Sequence, residues 1–366
     1  MKKHLLLLIL ATWLPTWLIV AQETQTTSGW ETSEMKQEEE ENQVNFVLGL
    51  RNFSFFDNRE VNSPYQKSQT LFGANLGVEA GVQIGSSYLM AGGLGIKNFG
   101  ENGWAKQALT FYYYYEGGNF SGALGQFPRE RLKAELPSIF LYDSLRYYTP
   151  TINGALIQYT NEHGFAELYC NWLNKQGENE REVFELVSKG QFGKEKFYGG
   201  WNVQLLHYSV PRNSDGIYVY DKGMINPYVA YETEKIKWLD GMKINAGFVL
   251  SLNRDREDML WKTPKGFMGE ITLKKWRFEL KDHLYWGEKQ FSDYDRYGNS
   301  LFRGDPYYRS QCYNRTDLTF YLLNKSYVQC RATASVHYTE HCIDNSQQII
   351  LHLFPNDKLL RKLFKL

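Results

Sequence analysis

The stretch Phe72–Gly85 reads FGANLGVEAGVQIG, and every even-numbered residue in it is apolar. The odd-numbered residues are glycine, asparagine, glutamate or glutamine, so the pattern has a period of two. This is the period of a β-strand, whose successive side chains point to opposite faces. The stretch is longer than the about 5 to 6 residues of a typical soluble strand, and it reaches the about 9 to 11 that cross a bilayer at a tilt. It therefore predicts a membrane-crossing strand with one apolar and one polar face.

The same alternation returns along most of the chain, for example at 196–208, 242–253 and 327–339. Apolar residues occupy every second position of these segments, and polar residues or glycines occupy most of the others. This criterion predicts sixteen strands. They are 44–56, 70–85, 87–98, 107–116, 119–128, 152–160, 164–173, 182–192, 196–208, 223–232, 242–253, 266–274, 276–286, 311–323, 327–339 and 346–354.

The connections between these segments alternate between short and long. Gly117-Gly118 is a short connection, whereas Arg129–Thr151 and Gly287–Ser310 are long and polar. Tight turns at one end and long loops at the other are typical of an up-and-down membrane barrel, and a soluble sandwich does not produce them. The sheet must close because every backbone N–H and C=O inside a bilayer needs a protein partner. The predicted fold is all-β, a transmembrane up-and-down antiparallel β-barrel of about sixteen strands, with roughly 14 to 18 allowed by the uncertain boundaries.

The N-terminus has the layout of an export signal. Lys2 and Lys3 precede the apolar run Leu5–Leu10, and Ala21 ends a small-residue cleavage site, so residues 1–21 are predicted to be a signal peptide. An uncleaved helical anchor is the alternative, but the apolar run is short and no basic stop-transfer flank follows it.

Three further regions follow the signal peptide. Residues 22–42 are polar and acidic and predict a flexible leader in the periplasm. Residues 43–354 are the predicted barrel. Residues 355–366 place Leu359, Leu360 and Leu363 among basic side chains, which predicts a basic amphipathic tail.

The composition excludes several classes of function. The 41 Lys and Arg residues equal the 41 Asp and Glu residues, so there is no basic excess for binding nucleic acid. The hydrophobic content of 43% is too high for a disordered chain. Beyond the N-terminal segment, no apolar run reaches the ~20 residues of a membrane helix.

The hairpin layout over residues 43–354 resembles that of the outer-membrane β-barrels of Gram-negative bacteria. The Ala21-Gln22 cleavage site is similar to those common in barrels of the Bacteroidetes type. The resemblance implies an outer-membrane location, termini in the periplasm and long loops outside the cell. It implies outer-membrane lipid and the barrel assembly machinery as partners, and it implies no cofactor.

Within that class, the sixteen strands and the long third loop resemble the general porins. The resemblance implies passive diffusion of small hydrophilic solutes through the lumen, and a third loop that folds inward to narrow it. A surface loop packed on its neighbours is the alternative. The charged candidates for this constriction are Arg129, Arg131, Lys133, Glu135, Asp143 and Arg146. An oligomer is possible on this analogy alone.

Charged residues fall on the predicted polar faces of several strands. The pore-lining candidates are Glu79, Glu270, Arg277, Glu279, Lys281, His283, Arg315, Asp317 and Arg331. Because both signs alternate, the wall is expected to tune ion selectivity only mildly. Neutral pairs that keep a polar interior hydrated are the alternative.

Asp282 breaks the alternation, since it shares a face with Leu280 and Leu284. A carboxylate at that position would point toward lipid near the middle of its strand, at a cost of about 2 kcal/mol. A bulge or a shallower position in the membrane would remove the conflict.

Local enzymatic motifs are absent from the sequence, including the Gly-x-Ser-x-Gly elbow, the phosphate-binding glycine loop and the His-Glu-x-x-His zinc motif. The sequence therefore predicts that the protein is not an enzyme. His207 lies on the predicted lipid face, with no serine alongside it at the same height. No metal site is predicted either, and His337 is interpreted as a lumen residue.

Two cysteines lie toward the outer ends of neighbouring hairpins, so a disulfide between Cys312 and Cys342 is possible. The other two, Cys170 and Cys330, fall on apolar faces and are expected to pack there.

A different function is also open, that of a non-conducting barrel whose surface loops bind a partner, a polysaccharide or a secretion component. Loop 287–310 carries the aromatic and arginine side chains that such recognition uses. They are Tyr294, Arg296, Tyr297, Arg303, Tyr307, Tyr308 and Arg309.

Overall fold

The computed structural model describes residues 43–214, 217–234 and 236–354. The predicted signal peptide, leader and C-terminal tail lie outside the described residues. Within the described part of the chain, none of the helices is long and apolar enough to cross a membrane.

Sixteen strands are present among the described residues, at positions close to those predicted. In chain order they are β1 (Val44–Glu60), β2 (Gln69–Ile84), β3 (Ser87–Asn98), β4 (Lys106–Gly117), β5 (Phe120–Pro128), β6 (Thr151–Asn161), β7 (Gly164–Asn174), β8 (Val183–Lys194), β9 (Phe197–Tyr208), β10 (Tyr220–Thr233), β11 (Gly241–Asp255), β12 (Lys265–Lys275), β13 (Phe278–Gly287), β14 (Cys312–Lys325), β15 (Val328–Thr339) and β16 (Ile343–Leu353).

The strands form one closed antiparallel barrel, which confirms the predicted fold class. Each strand pairs with the next one along the chain, and β16 pairs with β1, so that Leu353 lies opposite Asn52 and Asn345 lies opposite Glu60. The closure leaves the sheet without a free edge, as a hydrocarbon environment requires.

The barrel has a short-turn end and a long-loop end. The first described strand begins and the last one ends at the short-turn end. The eight connections at the long-loop end are numbered L1 (61–68), L2 (99–105), L3 (129–150), L4 (175–182), L5 (209–219), L6 (256–264), L7 (288–311) and L8 (340–342).

Side-chain exposure separates the two faces of the wall. Val78 is 61% exposed while its neighbour Glu79 is 4% exposed, and Leu109 is 82% exposed while Thr110 is 1% exposed. The apolar side chains therefore point outward and the polar ones point into the lumen. This arrangement follows from the period of two when lipid lies outside the wall and a polar interior lies inside it.

Asp282 lies on the outer face with Leu280 and Leu284, and the bulge that would have removed the conflict is not present. The pairing of β13 with β12 and with β14 is regular, so no bulge shifts its register. The carboxylate is satisfied laterally instead. It accepts hydrogen bonds from Thr316 Oγ1 at 2.6 Å and from Asn314 Nδ2 at 3.1 Å, and both residues also point outward from β14.

Two long loops fold into the lumen and fill it near the long-loop end. L3 contains a short helix α1 (Asp143–Tyr148), and L7 contains a second helix α2 (Tyr294–Leu301). Their largest apolar side chains are buried inside the barrel. These side chains are Ile139, Phe140, Leu141, Tyr147, Phe291, Leu301, Phe302, Tyr307 and Tyr308. The hydrophobic core of the protein is thus a plug inside the wall.

The two loops meet each other within the lumen. The backbone N–H of Tyr142 donates to the carbonyl of Arg303 at 2.8 Å, and that of Asp305 donates to the carbonyl of Ser138 at 2.8 Å. A Cβ atom at Gly304 would lie 1.9 Å from the carbonyl oxygen of Ile139, so only glycine permits this contact. L3 and L7 therefore form one unit, named here the plug.

Wall side chains hold the plug from many directions. Arg315 on β14 forms an ion pair with Asp143 at 2.9 Å, and Asn75 on β2 donates to the carbonyl of Tyr147 at 2.7 Å. Tyr220 on β10 donates to Asp293 at 2.6 Å. Because these strands lie on different sides of the barrel, the plug is anchored around the circumference.

Candidate functional site

The predicted pore-lining residues occupy several separate clusters. Glu79 is buried on β2, where Arg51 forms an ion pair with it at 2.7 Å and Tyr112 donates to it at 3.0 Å. Lys281 forms an ion pair with Glu270 at 2.8 Å. Each carboxylate has a cationic partner in the wall, so these charges are locally neutralised.

The remaining members of that set differ in position. Glu279 lies 3.5 Å from Lys274, and Arg331 alternates with outward-facing residues on β15 and so faces the lumen. The prediction that Arg277 lines the pore is wrong, because β12 ends at Lys275 and β13 begins at Phe278. Its side chain is exposed in the tight turn between them instead of lining the wall.

The charged residues of L3 make contacts that fix the plug. Arg129 donates to the carbonyl of Thr149, and the guanidinium of Arg131 lies 4.2 Å from the ring centre of Tyr114. The backbone N–H of Lys133 donates to Glu167 at 2.7 Å. These residues attach the loop to the wall and do not form an open ring of charges around a channel.

The acidic member of α1 is held in its ionised form. Burial by itself would raise the pKa of Asp143, but the guanidinium groups of Arg315 and Arg146 outweigh it and hold that pKa well below its usual range. Arg146 also forms an ion pair with Glu135. Asp143 is therefore a fixed negative charge inside the lumen.

A small polar cavity of about 10 Å³ lies beside Asp143, between the plug, L1 and the last two strands. A cavity of this size has room for about one water molecule. The chemically active side chains around it are Arg59, Asp143, Asp305, Arg315, His337 and Ser346. These residues form the candidate site.

A serine and a histidine meet at this cavity. His337 Nε2 lies 3.3 Å from Ser346 Oγ, and His337 Nδ1 lies 2.8 Å from the hydroxyl of Tyr313. In the tautomer with the proton on Nδ1, the imidazole donates to Tyr313 and offers Nε2 as the base for Ser346. A nucleophile, a base and an orienting group thus lie in sequence.

The register of the last hairpin brings the pair together. Ser335 on β15 lies opposite Ser346 on β16, and His337 lies opposite Asp344. His337 and Ser346 are therefore diagonal neighbours on the lumen face, within reach of a long side chain. The rings of Tyr307 and Tyr313 stack beside the imidazole, with centroids 4.8 Å and 6.0 Å away, and fix its orientation.

Arg59 places a hydrogen-bond donor at the same cavity. Its side chain is 5% exposed, and its guanidinium forms an ion pair with Asp57. Nη1 is buried and makes no hydrogen bond to any described residue. A cationic group with one unused N–H donor beside a nucleophile is an arrangement that stabilises a developing oxyanion.

Asp305 in L7 completes the acidic side of the cavity. Its Oδ1 accepts from Gln66 at 2.9 Å and from the N–H of Tyr307 at 3.2 Å, whereas Oδ2 has no hydrogen-bond partner among the described residues. Burial raises the pKa of Asp305 to about 6, although Arg315 opposes this. Folding therefore favours the protonated form of this carboxyl.

Asp305→Asn is expected to stabilise the protein at pH 8 and to leave its stability unchanged near pH 3. Because the folded pKa of about 6 exceeds the ordinary 3.8, the stability that this carboxyl contributes is fully present below 3.8 and is lost as the pH rises through 6. Asparagine keeps both accepted bonds and removes the charge, for a gain at pH 8 of up to ~3 kcal/mol. Thermal unfolding in detergent at the two pH values measures the difference.

Asp295→Asn is the matched control, because this loop carboxylate is 88% exposed and pairs with Arg309 at the surface. We expect no comparable pH-dependent gain from it. Equal curves for Asp305→Asn and the native protein at pH 8 would contradict the assignment of a buried charge at Asp305.

Sequence reasoning missed Ser346 and Tyr313 as functional residues and placed His337 only as a lumen residue. His337 and Ser346 lie nine positions apart, on opposite sides of the turn at L8. The available signal was that both residues point inward from strands joined by a short connection. Placing the two residues at the same height in the barrel also requires the length of L8, which the sequence alone did not give. His207 lies on the outer face, and its ring packs at a tilt against Phe184 with the two ring centres 4.9 Å apart.

The predicted disulfide is absent, because all four cysteines are free thiols. Cys342 Sγ lies 3.0 Å from Thr339 Oγ1 on the lumen side of the wall. Cys312 precedes the buried Tyr313 and therefore points to the opposite face. The two thiols lie at one end of the barrel, but on different faces.

Several members of the aromatic set in loop 287–310 are also placed differently from the prediction. Tyr307 and Tyr308 are buried in the plug and are not available as anchors on an exposed recognition surface, and Arg303 is also buried. Tyr308 donates to or accepts from Ser138 within the plug at 3.0 Å.

Comparison with known proteins gives both a family and a fold. A family model described as "Lipid A 3'-O-deacylase-type" matches residues 37–362. No curated protein matches the sequence.

Two solved structures illustrate the fold. The anion-selective porin from Comamonas acidovorans is 8% identical over 86% of this chain and 100% of its own, with a TM-score of 0.52. A loop-deletion mutant of OmpT, an outer membrane protein of Vibrio cholerae, is 11% identical over 85% and 99%, also with a TM-score of 0.52. At these identities the likeness concerns the fold alone, and it supports an outer-membrane β-barrel.

The prediction that the protein is not an enzyme is wrong. The family whose model matches is named for a deacylase, which is an enzymatic activity. The absence of a local motif was misleading, because in a barrel the reacting side chains come from different strands and leave no contiguous signature.

Proposed function

The chain belongs to the Lipid A 3'-O-deacylase-type family, and on that premise we propose that it hydrolyses an ester-linked acyl chain of lipid A in the outer membrane. Ser346 is the nucleophile, His337 is the general base and Tyr313 orients the imidazole. The observation that carries the proposal is the 3.3 Å approach of His337 Nε2 to Ser346 Oγ beside Arg59, whose Nη1 makes no hydrogen bond among the described residues.

The first half of the reaction transfers the acyl group to Ser346. His337 Nε2 removes the hydroxyl proton while Oγ attacks the ester carbonyl carbon. The tetrahedral intermediate collapses, the bond from carbon to the alcohol oxygen breaks, and the departing oxygen takes the proton from Nε2. The products of this half are the free hydroxyl and an acyl-serine ester.

Water completes the cycle. His337 Nε2 accepts a proton from a water molecule, whose oxygen attacks the acyl-serine carbonyl. Collapse of the second intermediate releases the fatty acid and returns the proton to Ser346. The cavity beside Ser346 has room for about one water molecule, so the attacking water fits next to the base.

Two groups support the charges that develop. Arg59 Nη1 is a donor with no other hydrogen-bond partner and serves the oxyanion. Tyr313, 2.8 Å from Nδ1, holds the second imidazole nitrogen through a phenolic oxygen, where many hydrolases use a carboxylate.

Substrate entry requires movement of L1 or the plug. Asp344 on β16 accepts from the backbone N–H groups of Asn62 and Ser63 at 2.7 and 3.2 Å, and from the hydroxyl of Tyr307 at 2.6 Å. One carboxylate thus closes L1 and L7 over the site. Such a closure keeps bulk solvent away from the site until it opens for the substrate.

The direct test is incubation of the purified protein with lipid A in mixed detergent micelles, followed by mass spectrometry of the lipid and of released fatty acid. We expect loss of one ester-linked acyl chain and release of the corresponding acid. An unchanged lipid after prolonged incubation, under conditions in which the folded barrel persists, would count against the proposal.

Passive diffusion of small hydrophilic solutes is the second candidate function. A closed barrel of sixteen strands with a polar inner face encloses more space than its wall side chains fill, which favours a channel. The plug opposes it, because L3 and L7 join each other across that space. Conduction therefore requires that the plug move.

The orientation of the barrel follows from the same proposal. We place the long-loop end outside the cell and the two chain termini in the periplasm. The candidate site, which lies toward the long-loop end beneath L1, then faces the leaflet that contains lipid A. Cysteine labelling of intact cells at exposed Asp295 of L7, compared with Glu195 of a short turn, distinguishes the two orientations.

A further inference from the structure

A second, larger cavity opens at the long-loop end, apart from the candidate site. It is a bowl of about 470 Å³ between L4, L5 and L7, with the ends of β7 and β9 as part of its wall. This volume lies within the roughly 300 to 1,000 Å³ of small-molecule sites. Its polar lining includes Asn174, Asn179, Arg181, Ser300 and Arg303.

Arg303 lines this bowl and is a buried cation with unused donors. It is 7% exposed, and its Nε and Nη2 atoms make no hydrogen bond among the described residues. Nε lies 3.8 Å from Glu185 Oε2, an ion pair without a hydrogen bond. Buried guanidinium donors normally have acceptors, so two unused donors indicate capacity for a further acceptor.

The nearby carboxylate is already occupied by other groups. Glu185 accepts from Asn171 Nδ2 and from Gln204 Nε2, each at 2.8 Å. These bonds hold both of its oxygens in the wall, away from a hydrogen bond to Arg303. Glu185 therefore balances the charge of Arg303 but accepts no hydrogen bond from the Nε or Nη2 of that guanidinium.

A second guanidinium makes the bowl electropositive. Arg181 donates through Nη1 to the carbonyls of Ser209 and Tyr218, and its guanidinium lies 4.6 Å from the ring centre of Tyr208. Backbone carbonyls bring no net charge. No acidic side chain is among the described residues that line the bowl, and the nearby Glu178 is paired with Arg212.

The rest of the wall suits a sugar better than a lipid. Asn174, Asn179, Asn299 and Ser300 offer amide and hydroxyl groups that exchange hydrogen bonds with sugar hydroxyls. Leu173, Val183 and Ile217 add a limited apolar surface for the face of a sugar ring. We propose that the bowl binds a small anionic carbohydrate, whose phosphate or carboxylate contacts Arg303 and Arg181.

Isothermal titration of the full-length protein in detergent tests this site, with glucose 6-phosphate, glucuronate, inorganic phosphate and glucose as probes. We expect at least one of the two sugar anions to bind. Binding of both shows that either oxyanion serves, and binding of one identifies the preferred group. Glucose and inorganic phosphate are expected to bind at least tenfold more weakly than the preferred sugar anion. Glucose lacks the anionic group, and inorganic phosphate lacks the sugar hydroxyls.

Arg303→Gln is expected to weaken binding of the sugar anion at least tenfold, because it removes the charge and most donors. Arg181→Gln is an independent variant that leaves the pairing of Glu185 intact, and it is expected to weaken binding several-fold. Arg256→Gln is the matched control. This guanidinium also lies at the long-loop end, but it pairs with outward-facing Asp221 and does not line the bowl.

Three results would overturn the proposal: no heat from either sugar anion, equal affinity for glucose or for inorganic phosphate, or native affinity in both Arg303→Gln and Arg181→Gln. Loss of binding in Arg256→Gln to the same extent would also overturn it. Ser346→Ala is expected to bind the probes as the native protein does. Failure of the binding proposal for the bowl can therefore be distinguished from failure of the proposed hydrolytic function.

Discussion

Replacing Ser346 with alanine is expected to lower the rate of acyl-ester hydrolysis by on the order of 10³-fold or more, while the barrel folds as before. Alanine removes the only atom that forms the covalent intermediate and changes the volume of a buried side chain very little. Removal of the nucleophile from a serine hydrolase leaves only the catalysis that binding and oxyanion stabilisation provide. Fatty acid release from lipid A, measured with equal amounts of folded protein, gives the ratio.

Ser335→Ala is the matched control for this experiment. Ser335 also points into the lumen and lies opposite Ser346 in the register of β15 and β16. The described hydrogen bonds of His337 go to Tyr313 and Ser346, and not to Ser335. We therefore expect Ser335→Ala to retain most of the activity. Activity that survives in Ser346→Ala and disappears in Ser335→Ala would assign the nucleophile to the other strand.

Two further variants separate the roles of the neighbouring residues. His337→Gln is expected to cost nearly as much as Ser346→Ala, and the double variant is expected to be no slower than either, because the two residues act as one unit. Tyr313→Phe keeps the ring stack and removes the hydrogen bond to Nδ1, so a smaller loss of about tenfold is expected. Additive losses would show that the residues act separately.

The alternation of residues predicted most of the barrel because lipid and lumen select opposite side chains at every step. It failed at the strand ends. β1 was predicted to end at residue 56 and continues to Glu60, where polar residues pair with the start of β16. β10 begins at Tyr220, three residues before its predicted start. Strands that extend beyond the membrane keep their backbone pairing but no longer need an apolar face.

The candidate site was harder to predict for a different reason. Its members come from the end of β1, from L3 and L7, and from the last three strands. Their contact depends on the register of each hairpin and on how two loops pack within the lumen. Neither is encoded in a local pattern. The sequence places Arg315 and Asp143 on a strand and in a loop, but their 2.9 Å ion pair exists only because the loop folds inward.

Charged residues on the lumen face also had two interpretations before the structure, as a selectivity wall or as neutral pairs. Arg315 illustrates the outcome. It lies between Asp143 at 2.9 Å and Asp317 at 2.8 Å, so its charge is used to hold the plug. The same holds for Lys189, which forms an ion pair with Glu167 at 2.9 Å and donates to the carbonyl of Ala134 in L3. A solute would meet few free charges on this wall while the plug is in place.

Deleting the plug is expected to convert a barrel with little or no conductance into an open channel. The variant replaces residues 133–147 of L3 and 290–308 of L7 with short Gly-Ser linkers and leaves the sixteen strands intact. The lumen of a barrel of this strand number is wider than its own side chains fill, so water and ions enter once the two loops are gone. Single-channel recording in planar bilayers should show stable steps for the variant, with a conductance on the order of tenfold or more above that of the native protein.

Shortening L2, by removing residues 100–103, is the control for loop deletion itself, because these exposed residues are not part of the plug. It should leave the conductance at the native value. In the plug-less variant, Lys281→Glu should shift ion selectivity toward cations, since Lys281 then faces water beside Glu270 without a plug above it. Large native steps that the deletion does not increase would show that ions already pass around L3 and L7, and passive diffusion would then replace occlusion as the resting behaviour of this barrel.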